Sequence, residues 1–328
     1  MTWDNFIAIS PVLAFMLGPI VLMLAIAVRR SHTVTALLSY CVLALTALLA
    51  LNAASVAPRQ LTQLLIVDNF GLFYLLLITA VTAVLMHLGV RYLANRESHP
   101  EEYYVLLLLA AGGAAIMGMS THFASFYLGL EVLSVSQYGL VAYVRRDRRG
   151  VEAGIKYLVL AAASAAFMLF GMALVYAEFG SMHFAVLAHA TETQVHNAVV
   201  LLGVAMIFVG IGFKLSVAPF HLWAPDIYEG SPVPVAAFTA TVAKIGVIAI
   251  LVRYFAIENT PVSESLYGVI AITAAISMLA GNLLALIQHN IKRLLAYSSI
   301  AQIGYLSVSF LHGGHLTSEG VAYYLVAY

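Results

Sequence analysis

Long apolar runs separated by short polar breaks make up almost the whole chain. Reading runs against breaks predicts helical spans near 6–28, 33–57, 69–93, 103–119, 123–144, 151–179, 198–220, 233–257, 266–288 and 294–311, and an eleventh starting near Ser318. A hydrocarbon core of roughly 30 Å takes about 20 apolar residues at ~1.5 Å each. The run from Ser318 to Tyr328 reaches only about 16 Å, so a fragment of a longer protein, or a chain that stops mid-span, is expected. The segment 180–197, with His183, His189 and His196, reads as a short surface helix between spans.

Composition supports this reading. Of 328 residues, 62% are hydrophobic and 9% charged, against about 45–50% and roughly 25% in soluble globular chains. The predicted fold class is an all-α polytopic membrane protein with ten to eleven transmembrane helices. Fifteen bases balance fifteen acids, which removes a basic-patch case for nucleic acid. One cysteine, Cys41, provides for no intrachain disulfide, cysteine-rich zinc site or cysteine-ligated cluster. No phosphate loop or dinucleotide fingerprint is present, so the chain has no visible means of using ATP or NADH itself. His87 stands alone, with no second intramembrane histidine to complete a bis-histidine haem site, and His312-Gly-Gly-His315 reads as a turn.

The first span does not read as a cleaved signal peptide, because Asp4 precedes it and its bases, Arg29 and Arg30, follow it. Loops after odd-numbered spans hold Arg29, Arg30, Arg91, Arg96, Arg145, Arg146, Arg148, Arg149, Lys292 and Arg293; loops after even-numbered spans hold Arg59 and Arg253. The Lys/Arg bias places the odd loops on the cytoplasmic or matrix side and the N-terminus outside. The remaining bases, Lys156, Lys214 and Lys244, lie inside spans, as does the acid Glu131. A charge near the bilayer centre costs a few kcal/mol on insertion scales. Function is therefore sought at these positions.

Glu131 lies about 12 Å from one end of its span and about 20 Å from the other, too deep to snorkel. Ser134 and Tyr138 project from nearly the same face. A structural carboxylate paired with a lysine competes with a titratable site. Lys244 lies about ten residues into its span, roughly 15 Å from either interface. Burial disfavours a charged amine, which makes Lys244 a proton carrier in one reading and half of a structural ion pair in the other. Lys214 precedes Pro219, which lacks an N–H and is expected to kink or break the helix; Pro219, Pro225, Pro232 and Pro234 cluster here. The negative end of a half-helix favours a lysinium, and broken helices with mid-membrane charges recur in ion-coupled transporters. His221 extends this stretch as either a structural imidazole or a proton relay. Lys156 is about six residues into its span, where snorkelling competes with a buried role. Lys292 reads equally as an ordinary loop charge. Gly150 and Gly154 have small-residue spacing interrupted by Glu152, a weak packing signal.

Three stretches carry a family resemblance: Phe126-Tyr-Leu-Gly-Leu-Glu131, Lys214-Leu-Ser-Val-Ala-Pro-Phe-His221 continuing to Pro232, and Asn290-Ile-Lys-Arg-Leu-Leu-Ala-Tyr running to Gly304. Over nearly its whole length the chain resembles the antiporter-like, proton-pumping subunits of respiratory complex I, which are similar to subunits of multi-component cation/proton antiporters. Asp226-Ile-Tyr-Glu-Gly and Val242-Ala-Lys-Ile-Gly look most like the bacterial N-type branch. The resemblance implies about fourteen helices in a full-length member and two inverted five-helix repeats, each with a broken helix. On this chain that means three N-terminal helices over 1–98, a first repeat over 99–258 with its break near 214–228, and a truncated second repeat over 259–328.

The resemblance also implies proton translocation through Glu131, Lys214 and Lys244, with Lys156 and His221 on the connecting charged axis and Lys292 leading toward the second half. Tightening or separation of a Glu131–Lys214 pair would load or release the proton. The family's terminal lysine would lie beyond Tyr328, and a chain that ended there should not support a full path. No cofactor is expected in this chain; FMN, iron–sulfur clusters and quinone are expected in partner subunits. The implied partners are the antiporter-like subunit M, small membrane subunits such as K and J, and the lipid bilayer, with no nucleic acid. The implied location is the bacterial inner membrane. The alternatives are a Na⁺ or K⁺/H⁺ antiporter subunit without redox chemistry, and a scaffold whose buried charges only specify packing.

Overall fold

The computed structural model describes residues 3–94, 96, 99–188, 197–255, 264–311 and 315–328. Its helices are α1 (Trp3–Val28), α2 (His32–Ala53), α3 (Asn69–Ala94), α4 (Glu101–Met119), α5 (Phe123–Val141), α6 (Arg148–Phe179), α7 (Phe184–Ala188), α8 (Ala198–Leu215), α9 (Trp223–Gly230), α10 (Val233–Ala240), α11 (Val242–Phe255), α12 (Glu264–Leu286), α13 (Ile291–Val308) and α14 (His315–Ala327). A small antiparallel hairpin, β1 (Arg59–Gln60) and β2 (Ile66–Val67), pairs Arg59 with Val67 and Gln60 with Ile66. His189 and His196, and the His312-Gly-Gly stretch, lie outside the described residues.

Nine helices among the described residues are long and apolar enough to cross a membrane. Helix α5 has spanning length, 19 residues, but Glu131, Gln137 and its serines make it more polar than those nine. Many helices are apolar on their outward faces as well as within: on α6, Leu158, Val159, Leu160, Phe167, Leu169 and Phe170 are exposed. Helices apolar all round belong in lipid. Many of their hydroxyls bond back into their own helices, as Ser39 Oγ does to the Thr35 carbonyl at 2.8 Å, which uses polar capacity that hydrocarbon cannot satisfy; the buried Thr46 and Thr82 hydroxyls have no partner among the described residues.

The chain forms two compact units, Met1–Gly154 with Ser231–Ala249, and Ile155–Gly230 with Ile250–Tyr328. In the first, α4 is the most enclosed helix: Tyr103, Tyr104, Leu107, Leu108, Ala110, Ala111 and Ala114 are buried. A Cβ at Gly113 would lie 2.5 Å from the Gly129 carbonyl oxygen, so α4 and α5 meet backbone to backbone. The hairpin is fastened to the start of α5, where the Leu64 carbonyl accepts from Thr121 N at 3.0 Å and from Ser125 Oγ at 2.7 Å. In the second unit α6 and α8 make a similar approach at Gly171, where a Cβ would lie 2.5 Å from the Gly203 carbonyl oxygen. Close contact through small residues is the usual route to tight helix packing in lipid, where apolar burial drives little association.

Two breaks differ from the sequence expectation. The seventh predicted span, α8, ends at Leu215, before the proline at Pro219. Ser216 adopts φ 61°, the left-handed region, and Val217 N–H bonds the Gly212 carbonyl while Ser216 N–H bonds that of Phe213, each at 3.0 Å. This is a Schellman stop, in which backbone geometry ends the helix. The eighth span, expected to be continuous over 233–257, is divided at Thr241 into α10 and α11.

Candidate functional site

In the first unit, Glu131 and Lys244 sit on different helices that touch α4 at consecutive residues. Gly113 meets Gly129 of α5, and Ala114 meets Gly246 of α11, where an added Cβ would lie 2.9 Å from the Ala114 Cα. Glu131 is two positions beyond Gly129 and Lys244 two before Gly246, about 3 Å along either axis. The backbones of Glu131 and Lys244 therefore lie at a similar level along α4. Gln137 Nε2 donates to Thr239 Oγ1 at 3.3 Å, a polar link between α5 and α10 nearby. Glu131 is half-buried, and Lys244 is 2% exposed. Because of the break at Thr241, Lys244 lies in the first turn of α11. Ser134 is buried and donates to its own helix, at the Leu130 carbonyl, while Tyr138 is half-buried on the expected stripe.

In the second unit, Lys214 occupies the last turn of α8 and is buried. Its Nζ donates to the Tyr157 hydroxyl at 3.4 Å and lies 5.2 Å from the centre of that ring. Tyr157 of α6 stacks on Trp223 at 5.0 Å, and Trp223 on Phe213 at 5.1 Å. The Trp223 indole N–H donates to the Phe213 carbonyl at 2.9 Å, and Ala218 N–H donates to Ser277 Oγ at 2.8 Å. The break thus fills backbone bonding capacity that the helix end leaves open. Lys214 is held between an aromatic face and the negative end of α8, both of which favour an ammonium. His221 lies in the link between α8 and α9, is buried, and forms no hydrogen bond from either ring nitrogen to the described residues.

Lys156 and Lys292 both reach α9. Lys156 is half-exposed, and its Nζ lies 3.5 Å from Asp226 Oδ2. Lys292, in the first turn of α13, donates to the Glu229 carbonyl at 2.8 Å. Arg293 Nη1 lies 2.7 Å from Asp226 Oδ1 and 3.0 Å from Glu229 Oε2. The structure thereby ties Lys156 to the Asp226 carboxylate and Lys292 to the Glu229 main-chain carbonyl, at two residues that the sequence reading used only as a family signature. Asp226 and Glu229 are three apart on a short helix and so share a face, the one sequence signal that points to them. The Tyr157–Trp223–Phe213 stack had no such signal, since aromatic residues in apolar runs carry no mark of their partners.

A model of the NADH:quinone oxidoreductase/Mrp antiporter transmembrane family matches residues 120–328. Subunit N of NADH-quinone oxidoreductase from Ectopseudomonas mendocina is 44% identical over 332 residues, covering 100% of this chain and 67% of its own length. The chain belongs to this family. The Methylococcus capsulatus subunit N is also 44% identical, over 333 residues, with 100% of this chain and 67% of the relative covered. Among solved structures, Thermus thermophilus respiratory complex I matches with a TM-score of 0.81 and 31% identity over 96% of this chain and 67% of the other. An Mrp complex from a Dietzia species matches with a TM-score of 0.85 at 21% identity, over 99% of this chain and 62% of the other, a likeness of fold. Glu131, Lys214 and Lys244 thus stand in a chain of the antiporter-like membrane family, on helices its fold holds in place.

Proposed function

We propose that this chain is the N-type membrane subunit of a proton-translocating NADH:quinone oxidoreductase. It moves protons through Glu131, Lys214 and Lys244, with Lys156, His221 and Lys292 serving the same path. The observation that carries this reading is Glu131 and the buried Lys244 at a similar level along α4, flanked by backbone-close helices that fix their depth. An opposite charge within about 4–6 Å favours an ammonium, and withdrawal of that charge in a dry interior favours the neutral amine. Displacement of α5 or α11 against α4 is the motion by which Glu131 would approach or leave Lys244. Lys214, in its own unit, is balanced between burial and the cation-favouring groups around it. His221, with ring nitrogens free of protein partners among the described residues, is suited to accept and pass a proton.

The redox chemistry belongs to other subunits, which hold FMN, iron–sulfur clusters and quinone; the single cysteine, Cys41, gives this chain no donor set for a cysteine-ligated cluster. Partners are the antiporter-like subunit M and small membrane subunits such as K and J. The chain sits in a bacterial inner membrane with its N-terminus periplasmic, as the Lys/Arg bias directs. Its helices form a first inverted repeat over α4 to α11 and begin a second at α12.

The competing reading is a Na⁺ or K⁺/H⁺ antiporter subunit. Copurification separates the two. The expected result is an assembly with NADH-dehydrogenase activity whose inside-out vesicles acidify on NADH addition without Na⁺ or K⁺. An all-membrane assembly that exchanges Na⁺ or K⁺ for protons with no NADH oxidation would establish the antiporter instead.

A further inference from the structure

Helix α9 is eight residues long, too short to be stable by its own hydrogen bonds. Its seat depends on what grips it from outside. Trp223 fastens its start to Phe213. Its far end is gripped by α13, through Lys292 on the Glu229 carbonyl and Arg293 on both acids. Asp226 differs from Glu229 in this arrangement because its two oxygens face different helices: Oδ1 meets Arg293 of α13, and Oδ2 meets Lys156 of α6. Arg293 keeps its charge at any physiological pH. Lys156 can give up its proton far more readily than Arg293, so its charge state bears on whether Asp226 is held from one side or two.

We propose that Asp226 is a positioning residue for Lys156, coupling the proton on that lysine to the seat of the half-helix α9. With Lys156 protonated, Asp226 bridges α6 and α13 and α9 is held from both. With Lys156 neutral, Asp226 falls wholly to Arg293, and α9 loses its charged tie to α6 while keeping the Trp223–Tyr157 stack. Asp226 does not itself carry the proton; it acts through Lys156 and through the half-helix that follows the break at Lys214. The inference rests on the proton-translocating reading and adds a residue to it.

The experiment uses the full-length subunit in the assembled complex. Variants D226N, D226E, K156Q, D226N/K156Q and K244A are each quantified for assembly by native gel. NADH-driven acidification of inside-out vesicles is then measured per NADH oxidised. D226N is expected to lower that ratio at least threefold and D226E to restore most of it. K156Q is expected to mask the effect, so the double variant pumps no worse than K156Q alone. A wild-type ratio in D226N, a loss D226E fails to restore, or an undiminished D226N penalty in K156Q overturns the proposal. Normal pumping in K244A would instead overturn the translocation reading beneath it.

Discussion

At Lys214 three influences meet: burial opposes the ammonium, while the Tyr157 ring and the end of α8 support it. A cation over an aromatic ring is worth about 0.5 to 2 kcal/mol, depending on desolvation. Tyr157→Phe keeps the ring and removes the hydroxyl, so NADH-driven acidification should fall by about twofold or less. Tyr157→Leu removes both and should fall by about tenfold; equal losses in the two variants would show that the ring does nothing for Lys214. His221→Leu provides a different test. Removing a buried polar group that lacks a protein partner costs little stability, so the assembled amount should hold while pumping drops; a melting temperature that falls with normal pumping would make His221 structural. Glu131, Lys214 and Lys244 were legible in the sequence because a charge inside an apolar run is expensive and rare. The Lys156–Asp226–Arg293 contacts were not, because tertiary folding alone brings α6, α9 and α13 together.

Helices follow from the apolar runs closely, and their ends do not. Predicted spans near 69–93 and 151–179 match α3 and α6 within a few residues, since length and hydropathy suffice to set a span. The stop at Leu215 comes from Ser216 in a left-handed conformation, which no hydropathy pattern encodes, and the division at Thr241 falls in an apolar run with no proline or glycine beside it. Ser216→Val is therefore expected to be costly. A β-branched side chain at positive φ adds strain beyond the ~1–2 kcal/mol of the left-handed conformation, and thermal unfolding of the assembled complex should occur several degrees lower. Ser216→Gly should unfold at or above the wild-type temperature. Gly113→Leu drives a side chain into the Gly129 carbonyl and should deplete the complex from the membrane, whereas Gly268→Ala, on open ground, should not. Equal abundance of the Gly113 and Gly268 variants would mean that α4 and α5 do not depend on backbone contact.

For the whole molecule, the balance of fifteen bases and fifteen acids conceals a sorting by depth. Most bases lie in loops or near helix ends, and Lys214 and Lys244 are the buried ones. Lys244 and Glu131 belong to one unit and Lys156, Lys214, His221 and Lys292 to the other, so each unit carries its own protonatable groups. The family gives the setting for those groups, and the similar level of Glu131 and Lys244 along α4 is what the proposed path rests on. The most direct measurement is the proton-to-electron ratio of a complex assembled with Lys244→Ala in the full-length subunit, at wild-type abundance. The proposed path predicts a clearly lowered ratio. A wild-type ratio would contradict the assignment of proton transfer to Lys244.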